Sequence, residues 1–163
     1  MASKQEIIAG MEDVKTRLQR LLPGIVASLD KPLPEGTWSV HDALCHMAAD
    51  ANAVPRWLAR IDAAERGVSS RPPGFNIDDY NQENIDARKD RPVEAVVQEI
   101  RDGLKADTAA VVGLDDALLS KQIPNGRGEL TPASDMLAFS TGRHNHMHLD
   151  DIERALETAP AKA

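Results

Sequence analysis

The segment Arg143-His144-Asn145-His146-Met147-His148-Leu149-Asp150-Asp151-Ile152 decides how the rest of this sequence is interpreted. Successive residues of a helix turn by about 100°, so His144 and His148, four positions apart, point the same way, and Asp151 continues their stripe. The stripe also carries apolar residues: Leu137, Ile152 and Ala155. We therefore expect it to face a core. Because imidazoles buried without partners cost free energy, a bound metal ion is the simplest explanation of the pattern.

Length and composition predict a single helical domain that spans residues 1–163. The chain has 163 residues, enough to bury one core and too few to suggest two. Hydrophobic residues make up 42% of it but aromatic residues only 3%, so the core must consist mainly of aliphatic side chains and methionine. This composition favours helices over strands.

Charge and cysteine content exclude several classes of partner. The formal net charge is −7 and the basic residues are scattered, so neither nucleic acid nor an anionic membrane is an expected partner. No apolar run approaches the roughly 20 residues of a membrane span, and charges interrupt the apolar positions of the N-terminal segment, which is unlike a signal peptide. Cys45 alone cannot form an internal disulfide and suits a reducing compartment. We expect a soluble cytoplasmic protein.

Apolar residues at helical spacing predict four long helices. They cover approximately residues 3–24, 39–66, 92–113 and 132 onwards. Pro55 predicts a bend or break in the second helix. The connection 67–91 is long enough to cross back along the molecule and could hold a short helix capped by Asn76, whereas 114–130 is predicted to be a loop. The predicted fold is an all-α four-helix bundle with a long crossover between helices two and three.

A third histidine can reach the pair in the last helix. His41 and His46 lie about 140° apart on the second helix, so only one of them faces inward. We predict His46, because small apolar residues share its side: Ala43, Ala49, Ala53 and Val54. Antiparallel packing of the second and fourth helices would bring His46 to the height of His148. Three imidazoles leave coordination positions open, as in a reactive metal site, and zinc or nickel would suit them best, with iron a further option.

Carboxylates are expected to support these ligands. Asp42 and Asp50 lie one turn on either side of His46, and Asp151 follows His148, so each could orient an imidazole as a hydrogen-bond acceptor. Three residues of the crossover are candidates for a substrate pocket: Tyr80, Asn81 and Arg88.

The remaining candidates have simpler interpretations. We expect His41 and His146 to face solvent and Cys45 to be a small packed residue. Trp38 and Trp57 are expected to pack in the core or at helix ends, although they could also stack on a substrate.

The motifs resemble those of a known superfamily. Gly36–Met47 resembles the G-W-[ST]-x-x-[DE]-x-[LI]-x-H-[LI] stretch of the DinB/YfiT-like metalloenzymes, with one residue inserted between Gly36 and Trp38. His144-x-x-x-His148-x-x-x-Ile152 is similar to the closing motif of that superfamily. The segment 76–81, followed by Arg88, resembles the crossover in relatives of the mycothiol-dependent maleylpyruvate isomerase type. The resemblance spans residues 36–156.

This resemblance implies an up-down-down-up bundle, a metal site formed by His46, His144 and His148, and a homodimer. It also implies chemistry with a low-molecular-weight thiol such as mycothiol, bacillithiol or glutathione. Our first hypothesis is a metal-dependent enzyme that activates such a thiol, or water, against a small electrophile, as a thiol S-transferase, isomerase or hydrolase. The alternative is a non-catalytic, dimeric helical bundle that binds a small molecule or acts in a stress response.

Overall fold

A computed structural model describes residues 1–34, 36–125 and 127–157 of the chain, so the last residues of the predicted domain, 158–163, lie outside the described part. Its elements in chain order are α1 (Lys4–Val26), α2 (Val40–Asp50), α3 (Val54–Glu65), α4 (Ile77–Asp86), α5 (Val93–Val112), α6 (Asp116–Ser120), β1 (Gln122–Pro124), β2 (Leu130–Pro132), α7 (Ala133–Ala138), a π-helical turn (Phe139–Arg143) and α8 (His144–Glu157). The predicted four-helix bundle is confirmed. Within the described ranges, no helix has the length and apolarity that crossing a membrane requires.

Four limbs form the bundle: α1, α2 with α3, α5, and the final helix made of α7, the π turn and α8. Both α1 and α2 pack against α5 and against α8. The first two limbs therefore face each other across the bundle, and α2 lies directly beside the helix that carries the histidine pair. The short helix α4 also packs on α2, so the crossover lies against the same limb as His46.

The second limb is interrupted at residues 51–53, where α5 holds it. Asn52 has a left-handed backbone, with φ of 56°. The carboxylate of Asp107 on α5 accepts hydrogen bonds from the N–H groups of Ala53, at 2.7 Å, and Val54, at 2.9 Å. The predicted interruption is present, but Pro55 lies in the first turn of α3 instead of at the break itself. Contacts from α5, and not the proline alone, set its position.

The π turn changes which face of the final helix is buried. Leu149 follows Leu137 by twelve residues, which in an unbroken α-helix is a rotation of about 120°. A π turn takes up one additional residue, so both leucines reach the core, where each is 0% exposed. The prediction that His144 and His148 share the face of Leu137 is therefore wrong. The buried stripe of α8 consists of Asn145, Leu149, Ile152 and Ala155, with the histidine pair along its edge.

Of the two long connections, the crossover 67–91 contains the short helix that the sequence predicted. The connection 114–130 contains more secondary structure than predicted. In the crossover, the Asn76 side chain caps α4 by accepting from the N–H of Asp78 at 2.8 Å, as expected. The segment 114–130, predicted to be a loop, instead contains α6 and a strand, β1, that pairs antiparallel with β2. This hairpin packs on α3.

Candidate metal centre

The structure brings His46, His144 and His148 together on the seam between α2 and α8. One ring nitrogen of each residue lies within 4.8 Å of the corresponding nitrogens of the other two. The Nε2 atoms of His144 and His148 are 3.1 Å apart. The ring centroids of His46 lie 5.2 Å from His144 and 4.7 Å from His148. Three nitrogen donors from two helices thus converge on one point.

The three imidazoles differ in depth but share a preference for the neutral form. His46 is buried, whereas His144 and His148 are half-buried, so the cluster opens to solvent on the α8 side. Burial lowers the pKa of His46 to about 4, with a further contribution from His144. Burial, reinforced by the other two imidazoles, lowers the pKa of His148 to about 3. The pKa of His144 is also lowered by burial, partly offset by Asp50. At neutral pH all three rings carry a free lone pair, which is the form that ligates a metal.

Asp50 is the carboxylate that the structure places against the cluster. Its Oδ2 atom lies 3.4 Å from Nε2 of His46 and 3.4 Å from Nδ1 of His144. A carboxylate next to Nδ1 of His144 favours a proton on that nitrogen and leaves Nε2, the atom that faces His148, free to bind. The guanidinium of Arg56 lies 3.9 Å from the other carboxylate oxygen and donates to the carbonyl of Ala51 at 3.3 Å. Arg56 therefore holds Asp50 from the side of the helix break.

The other two acidic candidates have different partners. Asp42 forms a capping box at the start of α2, where Oδ2 accepts from the N–H of Ser39 at 2.9 Å and from its hydroxyl at 2.8 Å. Asp151 pairs with Arg154 one turn along α8. Both carboxylates are engaged away from the imidazoles in the structure.

Two aromatic side chains flank the histidines. The ring centroid of Trp38 lies 4.9 Å from His46 and 5.9 Å from His148. Phe139, in the π turn, stacks on His144 at 5.8 Å with an interplanar angle of 24°. Sequence reasoning missed Phe139, because its position depends on a π turn that no residue pattern indicated. Trp57, by contrast, is buried and donates to the carbonyl of Ala133, as expected for a packing residue.

The described contacts of the crossover candidates do not involve the imidazoles. The Tyr80 ring packs 5.6 Å from that of Phe75, and Asn81 is half-buried on α4. Arg88 pairs with Glu99 at 2.8 Å and lines an open groove of about 760 Å³ between α2 and α5. Arg56 lines the same groove, whereas none of the three clustered histidines does.

The remaining histidines and the cysteine are not part of the cluster. His41, expected to face solvent, is half-buried, and its Nε2 atom is buried without a hydrogen-bond partner in the described part of the chain. His146, also expected to face solvent, is half-buried and lies 3.3 Å from a carboxylate oxygen of Asp13 on α1. Burial raises the pKa of Cys45 to about 11, so its thiol stays protonated and inert, as a packed residue should.

The family follows from a sequence comparison that agrees with this geometry. The family model of the mycothiol maleylpyruvate isomerase N-terminal domain matches residues 11–153. The chain belongs to this family. The predicted resemblance to the DinB/YfiT-like superfamily is thereby confirmed. A search of curated proteins gave no match.

Solved structures share the fold of this isomerase-domain family member. YfiT from Bacillus subtilis, a probable metal-dependent hydrolase with an unusual four-helix bundle topology, superposes with a TM-score of 0.73 at 18% identity, covering 95% of this chain and 88% of its own. A mutant of the mycothiol-dependent maleylpyruvate isomerase superposes with a TM-score of 0.69 at 15% identity, covering 93% of this chain. The present chain spans only 61% of that isomerase. An uncharacterised protein from Clostridium difficile 630 superposes with a TM-score of 0.68 at 11% identity, covering 94% of this chain and 95% of its own.

Proposed function

We propose that this chain is a metal-dependent enzyme in which His46, His144 and His148 hold a divalent ion. The ion would be zinc or nickel, with iron as a further candidate. The reaction would add a low-molecular-weight thiol, or water, to a small electrophile, as in a thiol S-transferase, isomerase or hydrolase. The observation that carries this proposal is the convergence of three neutral imidazoles from two helices within 4.8 Å.

The donor set fits such an ion. Ligand nitrogens around a tetrahedral zinc with bonds of 2.0–2.1 Å are separated by about 3.3 Å, and Nε2 of His144 lies 3.1 Å from Nε2 of His148. Three histidines leave at least one coordination position for a non-protein ligand. When bound, the ion would lower the pKa of a coordinated thiol or water, or polarise a carbonyl oxygen.

The chain's own residues would position the reactants. Asp50 would keep His144 in the tautomer that presents Nε2 and would hold it beside His46. Trp38 and Phe139 would cover the flanks of the cluster, exclude water from those sides and leave apolar faces for a planar or apolar electrophile. Segment 67–91 would contribute to substrate selection from outside the metal centre, because its Arg88 lines the groove beside α2 together with Arg56, the partner of Asp50.

Reconstitution tests this proposal. Protein stripped of metal is reloaded separately with zinc, nickel or iron and assayed with mycothiol, bacillithiol, glutathione or water alone against a model electrophile such as an activated aryl halide. We expect turnover that requires both a metal and one of the nucleophiles, and that falls by about 10²-fold in Asp50→Asn, as for other residues that orient metal ligands. Turnover that is independent of metal would refute the proposal.

A non-catalytic binding function is the second candidate. The open groove of about 760 Å³ between α2 and α5 favours it, since this groove could take a small molecule without contact with the imidazoles. Ligand binding without turnover under every metal and nucleophile would support this candidate.

We further propose a homodimer located in the cytoplasm. Light scattering on the purified protein measures the oligomeric state, and cell fractionation measures the location.

A further inference from the structure

A second polar pocket lies away from the metal centre, between α3, the start of the crossover and the β1–β2 hairpin. Its volume is about 180 Å³. The polar side chains in its lining are those of Arg60, Ser69, Ser70, Arg71 and Asn125. The volume is well below the 300–1,000 Å³ typical of sites for drug-sized ligands, so it suits a small chemical group.

Two arginines in this pocket have no acidic partner among the described residues. Arg60 is half-buried and donates to the carbonyl of Pro124 at 3.0 Å, and the guanidinium of Arg71 lies 4.8 Å above the ring of Phe75. Throughout the described ranges, neither guanidinium forms an ion pair with a carboxylate. Two neighbouring arginines, one in α3 and one at its C-cap, do form such pairs: Arg56 with Asp50 at 3.9 Å and Arg66 with Asp62 at 2.6 Å.

No carboxylate of residues 1–34, 36–125 or 127–157 therefore neutralises the positive charge of the pocket through an ion pair. The chain has a net charge of −7, so acidic partners are abundant elsewhere. Arg60 and Arg71 line the same pocket, and burial together with the positive charge of Arg71 lowers the pKa of Arg60, as expected for two like charges that border one cavity. An anion between them would remove that repulsion.

We propose that this pocket binds a phosphate dianion or the terminal phosphoryl group of a small molecule. A guanidinium has five N–H donors, of which Arg60 commits one to Pro124. Arg71 presents its flat face to Phe75, which leaves its edge donors directed elsewhere. Ser69 accepts from the backbone N–H of Arg71 at 3.1 Å, so its own hydroxyl proton is available. Two guanidinium groups and serine hydroxyls in one pocket lining match the needs of a group with three terminal oxygens and a charge near −2.

The Asn125 side chain lies at the rim of this pocket and fixes the hairpin loop. Its amide donates to Glu129 at 2.9 Å, and its carbonyl oxygen accepts from the N–H of Arg127 at 2.8 Å. Glu129 is therefore held by a residue of the pocket lining, and the structure shows no ion pair between it and either arginine in the described part of the chain. Among the described lining residues, the charged groups are the two arginines.

Calorimetric titration at constant ionic strength tests the proposal on protein free of metal. Inorganic phosphate and glycerol phosphate are the probes, and acetate is the comparison. We expect saturable binding of a phosphate probe that weakens at least about tenfold in Arg60→Gln and in Arg71→Gln, the loss expected for a charge-assisted hydrogen bond. Arg66→Gln, which removes the same charge from the end of α3, is the matched control and should bind as the wild type does.

The probes separate the two sources of the group. Tighter binding of glycerol phosphate than of inorganic phosphate would assign the pocket to an organic phosphomonoester, and the reverse would assign it to the free ion. The proposal is overturned if no phosphate probe saturates, if acetate binds as tightly with the same dependence on arginine, or if Arg66→Gln weakens binding equally. Arg71 lies on a surface loop, so its variant remains informative if Arg60→Gln does not fold, which circular dichroism would reveal.

Discussion

The two helices that carry the proposed metal ligands are both irregular next to their histidines, but for different reasons. On α2, the helix ends four residues after His46, at a break that is fixed from outside by Asp107 and Gly103 of α5. On the final helix, the irregularity is a local π turn that ends directly before His144. One interruption depends on tertiary contacts and the other on an additional residue within the helix. The ligand on the α2 side should therefore be the more sensitive to distant substitutions.

The substitution Gly103→Ala, at the contact between α5 and the break in the second limb, should cause the largest loss of stability. A Cβ atom at this position would lie 2.4 Å from Cβ of Ala51 and 2.7 Å from the backbone nitrogen of Asn52, so α5 would have to move away from the break. We expect a loss of about 3 kcal/mol in the free energy of unfolding by urea. Gly10→Ala is the matched control, because a Cβ there meets its nearest atom at an ordinary 3.8 Å. Equal stabilities of the two variants would contradict the role given to α5.

The pH dependence of stability probes the cluster itself. Folding lowers the pKa of His46 from 6.5 to about 4, so the unfolded chain binds a proton that the folded chain does not. This stabilisation is complete above pH 6.5 and is lost as the pH falls from 6.5 towards 4, by at most about 1.4 kcal/mol per pH unit for one histidine, or about 2 kcal/mol by pH 5. Urea unfolding of metal-free protein should show at least this slope, because folding also lowers the pKa values of His144 and His148, and His46→Gln should reduce it. The control His146→Gln retains the cluster, and an equal reduction there would contradict the assignment.

Removal of the Asp107 carboxylate, which binds the backbone N–H groups at the break, should lower the free energy of unfolding by somewhat less than Gly103→Ala. Asp107→Ala leaves the N–H groups of Ala53 and Val54 without their acceptor in a buried setting, and we expect a loss of about 2 kcal/mol in unfolding free energy. Asp102→Ala, on an exposed position of the same helix, should change stability little. If the break is a property of α5 contacts, metal affinity should also fall in the first variant and not in the second.

A substitution at the π turn should cause the smallest loss of stability in this series. Asn145 donates to the carbonyl of Thr141 inside the turn at 3.0 Å, but its Oδ1 atom is buried without a partner in the described part of the chain. Asn145→Ala therefore removes one hydrogen bond and one unpaired polar atom together, and we expect a loss of about 1 kcal/mol by urea unfolding. A loss as large as that of Gly103→Ala would contradict the smaller effect predicted for the π turn.

These differences explain how much the sequence predicted. The capping residues and the apolar periodicity predicted the four helices, and Pro55 predicted an interruption of the second. The resemblance, together with the helical spacing of the histidines, predicted the three clustered imidazoles. The π turn has no local sequence signal, so the phase of α8 and the stacking of Phe139 could not be predicted. Asp42 caps the start of α2, so Asp50 is the carboxylate that remains next to the imidazoles, and helical spacing alone did not distinguish between the two. The hairpin after α6 was missed because its strands are only three residues long.

The affinity of the site for metal tests the proposed centre most directly. Protein prepared without a polyhistidine tag is stripped, titrated with zinc and analysed for bound metal, while the fluorescence of Trp38, 4.9 Å from His46, is followed in a Trp57→Phe background. We predict one ion per chain and a fluorescence change on binding in the wild type and in His146→Ala. Both should be lost in His46→Ala and in His148→Ala. Equal metal content in the wild type and in His148→Ala would contradict the three-histidine site.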